Sequence, residues 1–408
     1  MKKILYILLI ISINLNISAQ EDEYVKSTVL RNNKFSLDFY KHFKNQNSEN
    51  IVISPFGISN TMAMAYIGSD GETKTQIADK MYYITQFGVL FSFKQLIKRF
   101  IIYSSKEVNL LIGNSLWYNE TKEMQKKYKN LLKVNFLAHV QTLDYKSSSK
   151  KTTKQINRWL KKSSNYNLRS IISPDAINEY DDLIFTNYVY LNGNWDSPFN
   201  EEFTSKDDFY LADSTKRKVD FMNQYSYYRY NENELFQIIE LPYSGKNISM
   251  IIILPKKVNS IDTIENTINT VNLDFWTTEL YSKLVKVRLP KFKIDYNQDV
   301  SNLISENSCD LPFGDKANFS RITKEKTKIS KLIQKTVIEV EENKNTNLTQ
   351  QIDDADWSSQ NSDINYINFN ANHQFIFLVK DNINNSILLM GKVISPDFNT
   401  LSADFSYN

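Results

Sequence analysis

Nine consecutive residues, Leu183 to Leu191 (LIFTNYVYL), are almost all apolar or aromatic. Such a run suits a central strand covered on both faces, because a half-exposed strand alternates instead. The rest of the chain supplies the covering elements in a definite order. Helical signals cluster in the first 165 residues. Phe35, Phe39 and Phe43 fall at i, i+4 and i+8, one buried stripe. Ser54-Pro55 reads as an N-cap with proline in the first turn, and Ile58, Met62, Ala65 and Tyr66 continue that helix until Gly68 stops it. Ile156, Trp159 and Leu160 mark a further amphipathic helix. Strands dominate afterwards. Ile238–Tyr243 and Ile248–Leu254 flank Ser244-Gly245-Lys246-Asn247 as a hairpin, and Val285, Val287 and Leu289 alternate with charged residues. Helices first and antiparallel strands later indicate an α+β fold.

A second feature lies between Thr336 and Val379. An apolar strand (Val337, Ile338, Val340) runs into roughly 25 mostly polar residues before another apolar strand, Phe375 to Val379. A connection that long inside a compact domain is usually functional or disordered. It contains no Lys or Arg from Asn345 to Val379, although the chain has 49 basic residues. A trypsin-like protease, whose pocket needs a cation, has nothing to bind there.

Lys2 and Lys3 precede an apolar run from Ile4 to about Leu15, and Ile17-Ser18-Ala19 offers a cleavage site before Gln20. Residues 1–19 therefore read as a secretory signal peptide, too short to span a membrane, and residues 20–408 as a single exported domain without interdomain linkers. Cys309 is the only cysteine, so no internal disulfide forms and stability rests on core size. With 41% hydrophobic residues, 24 Tyr and 24 Phe, the material for a large core is present. From Lys122 to Lys162, twelve Lys/Arg (Lys126, Lys127, Lys129, Lys150, Lys151, Lys161 and Lys162 among them) face only Glu123 and Asp144. That excess suits a polyanion such as a sulfated glycan or nucleic acid; a solvated face on two helices is the plainer reading.

Enzymatic signatures are missing. His42, His139 and His373 have no metal-ligand spacing, and His373 reads as a structural histidine. No G-x-S-x-G nucleophile turn occurs. Cys309 reads as a plain thiol, and no cofactor motif is present. Sequons at Asn119, Asn247, Asn318, Asn347 and Asn384 are candidate glycan acceptors.

Several segments together resemble the serpin family. They are NIVISPFGISNTMAMAYIGSDGETKTQI (Asn50 to Ile77), TNYVYLNGNWDSPF (Thr186 to Phe199), ELPYSGKNISMIIILP (Glu240 to Pro255), LPKFKIDY (Leu289 to Tyr296), ANFS (Ala317 to Ser320), ANHQFIFLV (Ala371 to Val379) and GKVISP (Gly391 to Pro396). Their order and spacing carry the resemblance from about Val29 to Pro396. It implies three β-sheets, eight or nine helices and a reactive loop at about residues 342–368, presented as bait to a serine protease. In inhibitory members the protease cleaves the loop and stays covalently attached. The freed strand then inserts into the main sheet.

By the same resemblance Glu342 is the hinge glutamate, and counting from it places the reactive bond at Ser358–Ser359. Trp357 there suits a chymotrypsin-like pocket, Ser358 an elastase-like one, and Asp353, Asp354 or Asp356 an Asp-specific protease. The family's inhibitory hinge has Gly, then Thr or Ser, then small residues, where this chain has Lys344, Asn345, Asn347, Leu348, Thr349 and Gln350. Asn345, Asn347, Thr349 and Gln351 are expected to face inward on insertion. Two buried amides without partners, together about 3 kcal/mol, would slow insertion about a hundredfold. Under the opening sheet, Ser54 and Asn187 match the family, while Gly57 and Gln334 stand where it usually has Ser and His. Two functions follow: a secreted, monomeric suicide inhibitor of a non-trypsin-like serine protease, or a non-inhibitory serpin acting as a carrier, storage or interaction protein.

Overall fold

The computed structural model describes residues 2–43, 49–146, 149–306, 308–342 and 365–397, with side chains from Asp22 onward. Its described helices are α1 (Lys2–Phe43), α2 (Pro55–Gly68), α3 (Gly71–Met81), α4 (Gln86–Tyr103), α5 (Lys126–Phe136) and α6 (Ser149–Ser163). Three short ones follow: α7 (Ile261–Thr267), α8 (Thr270–Thr278) and α9 (Ser301–Ser305). The strands in the first half are β1 (Ile51–Ile53), β2 (Val108–Asn119), β3 (His139–Leu143) and β4 (Leu183–Gly193). Then come β5 (Ser205–Tyr210), β6 (Lys216–Glu232), β7 (Phe236–Pro242), β8 (Ile248–Pro255), β9 (Tyr281–Pro290) and β10 (Phe292–Asp299). The last are β11 (Ile329–Val340), β12 (Ile367–Asn370), β13 (Phe375–Asp381) and β14 (Ile387–Val393).

The helix signals translate directly. Phe35, Phe39 and Phe43 are buried along α1 with ring centroids 5.5 and 5.9 Å apart. The Ser54 hydroxyl accepts from the Gly57 amide at 3.0 Å and caps α2, all 14 residues of which are buried. A helix hydrophobic all round belongs in a core, and α2 is one. The α1 helix also runs on through the apolar N-terminal segment from Lys2.

The strands form two sheets. One has five strands in the order β10-β11-β4-β2-β3. The other has nine, in the order β1-β14-β13-β8-β7-β6-β9-β12, with β5 added on β6. The resemblance implied three sheets. Two of them are continuous here because the 17-residue β6 pairs with β9 along one stretch and with β7 at its end. As the apolar run required, Leu183 to Leu191 is buried throughout β4. One face of β4 packs in the main core, through Phe185, Val189 and Leu191. The other face, with Ile184, Tyr188 and Tyr190, packs in a second cluster under Ile156 and Leu160 of α6. The polar connection after β11 ends at β12, a four-residue strand the sequence did not announce, which pairs parallel to β9.

Candidate functional site

The site is the junction of β11 and β4, two interior strands of the five-stranded sheet. They pair directly and in parallel, from Leu332 opposite Phe185 to Glu339 opposite Asn192, with no strand between them. The neighbouring pairs β10–β11 and β2–β4 are antiparallel. This parallel ladder runs straight towards the expected hinge, because β11 ends at Val340, two residues before Glu342.

Glu342 is buried and held from two sides. Lys291 Nζ lies 2.5 Å from its Oε2, and the Thr204 hydroxyl donates to Oε1 at 2.5 Å. Burial alone would raise this carboxyl, but the hydrogen bonds from Lys291 and Thr204 outweigh it and hold the pKa below the ordinary value. One residue earlier, the Glu341 carbonyl accepts from Trp195 Nε1 at 3.0 Å. That indole is stacked on Tyr243, with centroids 4.6 Å apart. Asn192 Nδ2 donates to Glu341 at 2.8 Å and to Glu339 at 3.2 Å, tying the end of β11 to β4. The chain therefore leaves the sheet from a fixed point. Lys291 and Trp195 were visible inside quoted motifs, but nothing in the sequence announced Thr204 as a partner of Glu342.

The four residues expected to govern sheet opening come together. Gln334 Oε1 accepts from the Ser54 amide at 3.0 Å, while its Nε2 donates to the Ser54 carbonyl at 2.7 Å and to Asn187 Oδ1 at 3.3 Å. Ser54 Oγ also donates to the Leu388 carbonyl at 2.7 Å, reaching the second sheet. Asn187 Nδ2 donates to Asn114 Oδ1 at 2.8 Å and to the Gly113 carbonyl at 3.2 Å. Gly57 is the space that makes this possible, since a Cβ there would lie 2.0 Å from Asn187 Oδ1 and 2.9 Å from Gln334 Nε2. One carboxamide thus joins β11, β4 and the start of α2.

The register fixes what lines the junction on its core side. Leu332 faces Phe185, Gln334 faces Asn187, Thr336 faces Val189 and Ile338 faces Leu191. Thr336 is fully buried, and its hydroxyl has no hydrogen-bond partner among the described residues. On the other face, Trp159 of α6 packs edge-on against Tyr188 of β4 at 5.7 Å, and Ile333 and Val337 of β11 belong to the same cluster. Helix α6 therefore covers the junction. Its outer side carries Lys150, Lys151, Lys154, Arg158, Lys161 and Lys162, all exposed, and α5 exposes Lys126, Lys127 and Lys133.

Lys344, Asn345, Asn347, Thr349, Gln351, Ser358 and Ser359 lie outside the described residues. His373 is buried, with Nε2 2.7 Å from the Pro255 carbonyl, and burial holds its pKa below the ordinary value. Burial pushes the Cys309 thiol up to about 12, so no nucleophile is available there. Among the described residues no group of three or more His, Cys, Asp or Glu side chains is placed to hold a metal. The Asn119 amide nitrogen donates to the Glu179 and Asp181 carbonyls at 3.4 and 3.3 Å, which occupies that candidate glycan acceptor.

Comparison with known proteins agrees with this architecture. The family model described as serpin (serine protease inhibitor) matches residues 30–396. A serpin-like protein of Methanosarcina mazei is 32% identical over 381 residues, covering 90% of this chain and 87% of that protein. Antithrombin-III of Bos taurus is 29% identical, covering 90% and 81%. Among solved structures, uncleaved ovalbumin superimposes with a TM-score of 0.84 at 22% identity, covering 91% of this chain and all (100%) of that one. Native protease nexin-1 with heparin superimposes at 0.81 with 29% identity, covering 91% and 100%. With a buried network across a direct β11–β4 junction, and a family match along nearly its whole length, the chain belongs to the serpin family.

Proposed function

We propose that the protein is a secreted, monomeric suicide-substrate inhibitor of a serine protease that is not trypsin-like. The observation that carries this reading is the parallel β11–β4 ladder. A strand that leaves β11 at Glu342 and folds back between β11 and β4 runs antiparallel to both. One parallel ladder is thereby exchanged for two antiparallel ones, which are slightly more stable per residue. Cleavage of the loop is what frees that strand to enter.

In this scheme the protease's serine oxygen attacks the Ser358 carbonyl carbon and the bond to the Ser359 nitrogen breaks. The nitrogen leaves protonated as a new amino terminus, and Ser358 remains as an ester on the protease. Insertion then carries the ester to the far end of the sheet before water can hydrolyse it. The absence of Lys and Arg between Asn345 and Val379 directs the choice of target. Trp357, Ser358 and the aspartates at 353, 354 and 356 fit chymotrypsin-like, elastase-like and Asp-specific pockets. The Lys2–Ala19 segment supports export through a signal peptide. The exposed cations of α5 and α6 support a polyanion partner of the sulfated-glycan type, a class represented by the heparin in the nexin complex.

A second reading rests on the hinge. Lys344 stands where inhibitory members have glycine, which favours a non-inhibitory carrier, storage or interaction role. Incubation with chymotrypsin, elastase or an Asp-specific serine protease, followed by a denaturing gel, separates the two. A band at the summed mass is expected for the inhibitor. Clean cleavage near Ser358 with no adduct supports the second reading and overturns the first.

A further inference from the structure

We propose that the β11–β4 junction is a receptor for a polar strand, so the amide and hydroxyl side chains at alternate hinge positions promote insertion instead of obstructing it. The inference rests on the insertion reading above and concerns what the sheet demands of the strand that enters.

Widening the sheet by one strand moves β11 and β4 about 4.8 Å further apart. The Gln334 Nε2 to Asn187 Oδ1 hydrogen bond spans those two strands at 3.3 Å and cannot survive the separation. Gln334 keeps its two bonds to Ser54, and Asn187 keeps its bonds to Asn114 and Gly113, because those partners lie outside the junction. Opening therefore leaves one amide hydrogen on Gln334 and the acceptor Oδ1 on Asn187 unfilled. The Thr336 hydroxyl, two residues along β11 on the same face, already has no partner among the described residues while the sheet is closed. A buried polar group in that state is costly, and a native structure retains few of them. Three polar atoms thus belong to residues on the core side of the junction that an entering strand would fill.

Alternate residues of a strand share one face. At alternate positions from 345 the chain has Asn345, Asn347, Thr349 and Gln351, each with an amide or hydroxyl. Carboxamides offer both a donor and an acceptor, matching the mixed set that opening exposes. Alanines at these places would fit by volume but leave Gln334, Asn187 and Thr336 unsatisfied.

The test compares melting temperatures before and after loop cleavage, using the full secreted chain. The chain itself is expected to gain stability on cleavage. Replacing Asn347→Ala, Thr349→Ala and Gln351→Ala together should reduce that gain by on the order of 5 °C. Thr336→Val, which removes the hydroxyl at nearly constant shape, should leave the uncut melting temperature equal or higher and also reduce the gain. The uncut melts serve as the folding control for each variant. If the parent gains stability but the alanine and valine variants gain as much or more, the polar-receptor inference is overturned while insertion stands. If the parent gains nothing, insertion itself fails and the inference goes with it.

Discussion

Replacing Gly57 with alanine tests the packing of the opening network more sharply than any other single change. Two effects of opposite sign compete. Position 57 lies in the first turn of α2, and alanine there improves helix propensity by up to about 1 kcal/mol. Against that, the new Cβ would lie 2.0 Å from Asn187 Oδ1, 2.8 Å from its Cγ and 2.9 Å from Gln334 Nε2. Asn187 has little room to yield, because its Nδ2 is committed to Asn114 at 2.8 Å and to Gly113 at 3.2 Å, and Asn114 is itself bonded to the Phe136 carbonyl at 3.1 Å. Overpacking of this kind costs about 1–3 kcal/mol, and the lost Gln334–Asn187 hydrogen bond adds roughly 0.5–1.5. The packing effect wins, and the net loss is about 1–3 kcal/mol once the helix gain is set against it.

Urea unfolding of the uncut protein, followed by tryptophan fluorescence, reads this directly. With a slope of about 3 kcal/mol per molar, the midpoint of Gly57→Ala should fall by roughly 0.3–1 M. Because many large proteins unfold irreversibly, the unfolding rate is measured alongside the midpoint. Asn187→Ala removes the obstructing atoms, so in the double variant the alanine at 57 should cost less than it does alone. A coupling of at least about 1 kcal/mol is expected for residues in such contact. A midpoint for Gly57→Ala equal to or above the parent's, or additive single and double variants, would refute the reasoning.

Four further outcomes follow from the same structure. Lys291→Met should destabilise the uncut protein by about 1–3 kcal/mol in urea melts, because it leaves Glu342 buried with Thr204 alone as a side-chain partner among the described residues. The folded Glu342 carboxyl lies below its ordinary value of 4.5, so its stabilisation is full above that pH and is lost as pH falls through the lowered value. Glu342→Gln should flatten that acid limb of a stability–pH series, and an unchanged limb would contradict the assignment. Cys309, fully buried and with its thiol pushed up to about 12, should resist a thiol reagent at pH 8 until urea unfolds the chain. Lys161→Glu with Lys162→Glu should elute from a sulfated-polysaccharide column at lower salt than the parent, whereas Lys256→Glu, from a different face, should shift far less.

The parts of this fold legible in the sequence are those whose signal is local. Leu183 to Leu191 announces a doubly covered strand because every residue must be apolar enough for both faces. The Ser54-Pro55 cap follows from local capping chemistry, and the phenylalanines of α1 follow from the 3.6-residue period. The strand β12 escaped notice because Ile367 and Phe369 alternate with asparagine over only four residues, too short a pattern to separate from a loop. The partnership of Lys291 and Thr204 with Glu342 joins residues far apart in the chain, and only the tertiary fold decides it. The fusion of two expected sheets through β6 depends on strand length and twist, which residue pattern does not encode.

Gly57 and Gln334 looked like two separate departures from the family's usual residues, and the structure makes them one. The Gln334 carboxamide grips both the amide and the carbonyl of Ser54, and its second amide hydrogen reaches Asn187. A side chain at 57 would occupy the volume through which that last contact is made. Glycine at 57 is therefore the condition for glutamine at 334. The pair also changes the chemistry of the latch, because a carboxamide stays neutral across the pH range in which an imidazole would gain a proton. The closed sheet of this chain is held by a lock that does not titrate near neutrality. The titratable contact lies instead just beyond β11, where Glu342 meets Lys291. On the proposed insertion reading, opening would break a pH-independent amide contact within the sheet and disturb an ion pair at its edge.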